Sequence, residues 1–148
     1  MTLILSIAGQ AGAGALDLEL KIGSLVTKDL TSKAWMIGLA IHLLMSGLIG
    51  LLYALGFEYV TRKATWLIGV GFGLVHAIIG GLLLSTMRDL NPLMRGGLVR
   101  APGAFASNLG RSSIVWFVMA HLIYGAIVGA VYRVRGRFHF ASRLLRTH

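Results

Sequence analysis

Three stretches of this chain, residues 34–57, 65–87 and 113–132, are apolar almost without interruption by charge. At 1.5 Å per residue they make helices of roughly 30–36 Å, enough to cross a hydrocarbon core of about 30 Å. A shorter apolar and small-residue-rich run at 1–16 predicts a fourth, shorter helix that packs on the others through Gly9, Gly12, Ala13 and Ala15. Asp17, Glu19, Lys21 and the lysines at 28 and 33 then form a polar stretch, in which residues 22–26 are expected to lie along the membrane interface as an amphipathic turn. Tryptophans 35, 66 and 116 stand at the start of the three long runs, as an aromatic belt requires. The pattern predicts an all-α fold: one integral membrane domain over 1–148, with three long transmembrane helices, a shorter N-terminal helix, and a basic interfacial tail at 133–148.

Within the long runs small and polar residues recur at helical spacing. His42, Ser46, Gly50 and Tyr53 stand at steps of 0, 4, 8 and 11, and His121, Gly125, Gly129 and Tyr132 repeat those steps 79 residues later. At about 100° per residue each set falls within roughly 80°, one stripe down one face. The middle run carries a related stripe, Gly69, Gly73, His76 and Gly80. Small residues four apart let membrane helices approach closely, so these faces, histidines included, are expected to point into the bundle. Counted from the common face, His42 and His121 lie about 12 Å deep and His76 about 16 Å, one shared layer.

Ionisable side chains at that depth are costly and ask for a reason. In one reading His42, His76 and His121 bridge helices, each bonding a tyrosine (Tyr53, Tyr124 or Tyr132), a serine or a backbone carbonyl. In another they hold a haem or a metal ion, with Met45 and Met119 as soft ligands for copper. Against the second stand the lack of a paired His-x-x-x-His spacing and the placement of all five carboxylates outside the long runs, which leaves no interior acid to orient the rings. A proton or solute path lined by the same residues is a third possibility. The Gly69-Val-Gly-Phe-Gly73 segment has no strand before it, so it reads as packing glycine and not as a phosphate loop.

Composition sharpens this picture in three ways. The 148 residues contain no cysteine, which excludes disulfides, thiolate metal sites and cysteine nucleophiles. Charged residues make up 13%, against about 25% in soluble domains. Fourteen lysines and arginines against five acids give a net charge of +9, yet the basic residues flank apolar helices. They are therefore assigned to lipid head groups or protein partners and not to nucleic acid. Arg88, Arg95, Arg100 and Arg111 lie in the long connection at 88–112, which reads as a lipid-hugging connector or as a cap over the bundle mouth; Arg133, Arg135 and Arg137 open the tail. Lysines and arginines flanking the helices number seven on each side. The density of arginine against the last helix end favours a cytoplasmic C-terminus.

Two stretches resemble a family of small bacterial multipass membrane proteins that carries a domain-of-unknown-function label. One is Trp35…Gly38-Leu-Ala-Ile-His42…Gly47…Gly50-Leu-Leu-Tyr53 with Gly69-Val-Gly-Phe-Gly-Leu-Val-His76…Gly80. The other is Asn91-Pro-Leu-Met…Ala101-Pro-Gly…Asn108-Leu-Gly, leading into Met119-Ala-His-Leu-Ile-Tyr-Gly125…Gly129…Tyr132. The resemblance implies a four-helix fold in a bacterial inner membrane and no particular activity. The first segment is shorter than the family's first helix. The expected function is that of a non-enzymatic accessory or assembly subunit, without a cofactor, packed among lipids and other membrane-protein subunits. The alternatives are a haem- or metal-binding redox protein and a small channel.

Overall fold

The structure, a computed structural model, describes residues 17–134. The helix expected at 1–16 and the tail arginines Arg135 and Arg137 lie outside the described residues. The described chain is helical throughout, with no strand among the described residues. Helix α1 (Leu18–Thr27) is followed by α2 (Ser32–Leu55), which runs on into a π-helical turn at Gly56–Thr61. Then come α3 (Trp66–Leu84), two short turns, α4 (Met87–Leu90) and α5 (Pro92–Arg95), a 3-10 segment at Ala104–Leu109, and α6 (Arg111–Val131). Among the described residues three helices are long and apolar enough to span a bilayer: Ser32–Thr61, Trp66–Leu84 and Arg111–Val131. This is an all-α membrane bundle.

Local chemistry sets the starts. The side chains of Asp17, Thr31 and Thr65 accept from the backbone N–H groups of Leu20, Ala34 and Ile68, so each caps a helix that would otherwise leave donors unpaired. Asp29 joins α1 to α2 and accepts from both the N–H and the hydroxyl of Thr31, at 3.2 and 2.8 Å. These bonds hold its carboxyl below its ordinary value of 3.8. The folded pKa is the lower one, so this stabilisation is complete above the ordinary value and is lost as pH falls through the folded value. We therefore expect the melting temperature of Asp29→Asn to lie slightly below that of the wild type at neutral pH and to converge with it in acid, as read by thermal unfolding in detergent across pH.

Glycine decides the pairing of the long helices. Helix α1 lies antiparallel against the first half of α2, with Gly23 facing Ala34 and Gly38, and Gly38 facing Glu19 and Gly23. A Cβ on either glycine would collide with a backbone carbonyl of the other helix. The same holds where α3 crosses α6: Gly69 meets Gly125 and Gly129, and Gly73 meets His121. These two pairs carry the closest backbone contact in the fold. Residues 18–27 are thus not an interfacial turn in a polar stretch. They form a helix packed along α2, with Glu19, Lys21 and Ser24 turned inward, and the polar residues 28–33 that follow stay largely exposed.

Residues 85–110 fold back as a cap on the end where α2 begins, α3 leaves and α6 enters. Of the two readings of this connection, the cap is the one that forms. Phe105 takes a positive φ of 53° and lays its ring on Gly81, where a Cβ would strike that ring. Leu84, Met87, Met94, Ala106 and Phe117 gather there with Leu18 of α1 into the apolar core. Asn91, fully buried, donates from Nδ2 to Ser24 Oγ at 2.8 Å and to the Lys21 carbonyl at 3.4 Å, tying the cap to α1. Replacing Asn91 with alanine removes both bonds from the cap to α1 and leaves the buried Ser24 oxygen without its Asn91 donor, while the Lys21 carbonyl keeps the Ser24 hydroxyl; we expect a loss of about 1–3 kcal/mol. Thermal unfolding reads that loss, and earlier proteolysis within 88–110 locates it.

Candidate functional site

The polar interior falls into three groups. The first joins α1 to α2. Glu19 and His42 are 7% and 6% exposed, and the His42 ring donates from Nδ1 to Glu19 Oε1 across 3.0 Å. Ten residues separate Ser32 from His42, so the pair lies about 15 Å from the start of α2. An interior carboxylate therefore does orient a histidine, which corrects the expectation that none could reach. Because α1 runs antiparallel to α2, each step back from Thr27 carries the chain deeper. Eight such steps place Glu19 beside His42 about 12 Å below the end of α1. The contact was hidden in the sequence because Glu19 stands outside every long apolar run. The signal that would have found it is the helical register of Glu19 and Gly23 against Gly38 and His42, which are likewise four residues apart.

The second group fills the space between the two helix pairs. His76 of α3 and His121 of α6 meet edge to face, with ring centroids 4.5 Å apart. Tyr53 of α2 stands over His76 at 6.1 Å, with its hydroxyl 3.4 Å from His76 Nδ1. Tyr124 closes the group, 5.7 Å from Tyr53 and 6.2 Å from His76, and donates to the Ser46 carbonyl at 3.0 Å. Ser46 thus contributes its backbone, and Gly50 leaves room for the Tyr124 hydroxyl beside it. His121 donates from Nδ1 to the Phe117 carbonyl at 2.7 Å, so its Nε2 carries the lone pair. Gly80 flanks that atom at ordinary contact distance. The Tyr53 hydroxyl can donate to or accept from His76 Nδ1, and the direction of that bond follows the His76 tautomer.

The third group lies at the opposite end from the cap. Tyr132 donates to Glu58 Oε1 at 3.0 Å and its ring packs on Phe57, which is fully buried in the π-helical turn. All three stripes read in the sequence face the interior. Yet the three histidines do not form one set, since His42 turns to Glu19 while His76 and His121 meet each other. Among the described residues no group of three or more His, Asp or Glu side chains is arranged to hold a metal ion. Met45 and Met119 are 50% and 42% exposed on the outer faces of α2 and α6, which removes them as soft ligands beside the histidines.

Arg88, Arg95, Arg100, Arg111 and Arg133 are all exposed. The spans present apolar side chains outward, among them Leu44, Leu52, Leu67 and Leu83, each 59–66% open. In a bilayer these faces meet acyl chains. The fold and its interior define an α-helical membrane protein whose buried histidines, tyrosines and acids are bonded to one another. No family model, curated protein or solved structure matches the chain.

Proposed function

We propose that this chain is an accessory subunit of a larger membrane assembly, seated in a bacterial inner membrane with its C-terminus on the cytoplasmic side. The observation that carries this reading is a contrast between the glycines inside and outside the bundle. The buried glycines of the spans all face a neighbouring backbone or ring. Gly47 of α2 and Gly71 of α3 sit on exposed faces, where an added Cβ would meet nothing within 4 Å. A glycine in a membrane helix weakens the helix by about 1 kcal/mol relative to alanine, and a close helix neighbour is what offsets that cost. Lipid offers no such return. Arg62, Lys63 and Arg133 stand at the end of the bundle away from the cap, and further arginines follow in the sequence, which supports the assigned orientation.

The test is to fill the two notches. In Gly47→Leu and Gly71→Leu the isolated bundle should melt no earlier than the wild type, since an added Cβ there meets no atom of the described residues within 4 Å. The particle extracted from native membranes should fall in mass as its partners are lost. An unchanged particle in both variants contradicts the reading.

A second reading, a redox protein holding haem or a metal ion, draws on one observation: His121 is anchored at Nδ1 by a carbonyl, the usual way a ligating imidazole is oriented. Its difficulty is the 4.5 Å separation of the His76 and His121 rings. Two imidazoles on opposite sides of one iron, each at about 2.0 Å through nitrogen, need ring centroids roughly 6 Å apart. The pair would have to part to admit the ion.

A further inference from the structure

The cap encloses an open depression of about 460 Å³ whose wall carries two arginines, Arg88 and Arg100. Its other lining includes Met94, Val99, Ala101 and Asn108. Met94, which is buried, adds apolar surface to a lining that is more polar than apolar, while the Asn108 amide is fixed by a 3.3 Å bond to the Ala101 carbonyl. Neither guanidinium pairs with a carboxylate among the described residues, where the one ion pair is Glu19 with His42. Arg88 follows the end of α3 by four residues, so the depression opens at the level where the span meets the head groups.

Each of these facts narrows the ligand. Two unpaired guanidiniums across one concavity present forked N–H donors suited to a phosphate and attract little that is neutral. The volume is that of a small-molecule site and exceeds what a lone ion fills. Apolar surface beside the charged wall matches an amphiphile whose phosphate lies at the surface and whose glycerol carbons lie against side chains. Arg95 and Arg111, also exposed on the cap side, do not line the depression. We propose that Arg88 and Arg100 form a specific binding site for the phosphate head group of an anionic phospholipid. The proposal rests on the membrane setting of the bundle and is independent of the accessory-subunit reading.

The test uses the full chain purified in mild detergent, with bound lipid counted by native mass spectrometry. Phosphatidylglycerol should saturate one tight site, and phosphatidylcholine of the same chain length should not. Arg88→Gln/Arg100→Gln should weaken phosphatidylglycerol binding about ten-fold or more, the size expected from loss of charge-assisted bonds. Arg95→Gln/Arg111→Gln removes equal charge from the same side and should leave binding within about two-fold. Equal losses in the two double variants, or equal binding of the two lipids by the wild type, would overturn the site. Inorganic phosphate supplies the remaining arm: if it displaces phosphatidylglycerol at equal concentration, the site belongs to soluble phosphate and the lipid assignment fails. Because the comparison of lipids uses the wild type, it stands even if a double variant does not fold.

Discussion

Gly125→Leu is expected to drive α3 and α6 apart and to leave no stably packed bundle. A Cβ at Gly125 collides with the Gly69 carbonyl, and the α carbon of Gly73 stands close behind it. Where the obstacle is backbone on a rigid helix, neither side can rotate out of the way as a flexible side chain would. Overpacking a core ordinarily costs about 1–3 kcal/mol. Here the crossing also sets the contact between His76 and His121, so we expect the upper end of that range or beyond. Thermal unfolding in detergent should show it as a large fall in melting temperature. Gly47→Leu is the control, since it adds the same side chain to a face with no neighbour. If the two variants melt alike, the close crossing does not hold the bundle together.

Removal of the Glu19 carboxylate should come next in size. Glu19→Ala removes the acid that the buried His42 ring meets at Nδ1, and His42→Leu removes that contact from the buried carboxylate. Breaking a buried charged pair by deleting one partner typically costs about 3–5 kcal/mol. An interhelical hydrogen bond in a membrane contributes only about 0.6–2 kcal/mol. Both groups are buried and joined across two helices, which places each single variant between the two ranges, at about 2–3 kcal/mol. Glu19→Leu/His42→Leu should recover part of it, because no polar side chain is then buried at either position. Single variants that lose under about 1 kcal/mol, with no recovery in the double, would reduce the pair to an ordinary bridge.

These two expectations differ in how far they could be read from sequence. The α3–α6 crossing was legible, because its glycines repeat four apart within runs whose helicity and depth follow from hydropathy alone. The ends of the runs shifted by up to three residues, since caps at Thr31, Thr65 and Gly110 decide where a helix begins and hydropathy does not. The Glu19–His42 contact was not legible. Residues 17–33 are rich in charge, and a local rule assigns such a stretch to the interface. Only the tertiary approach of Gly23 to Gly38 carries residues 18–27 inward, and nothing near Glu19 in sequence reports that approach. A cap was one reading of residues 88–112, but its anchors were hidden for a similar reason: Asn91 and Phe105 gain their roles from Ser24 and Gly81, which lie 67 and 24 residues away. Three histidines at equal depth were read as one layer. Depth fixes height along the normal but leaves rotation free, and rotation sends His42 to α1 while His76 and His121 meet.

The lipid site and the tight crossings describe how the bundle holds itself together in a membrane, and the open glycines at 47 and 71 describe what it leaves unfilled. The most direct test of the accessory-subunit reading is the mass and composition of the wild-type particle extracted in mild detergent from its own membrane. The account predicts a particle several times the 15.9 kDa of this chain, with other membrane proteins in fixed ratio to it. A particle made of this chain alone would contradict it.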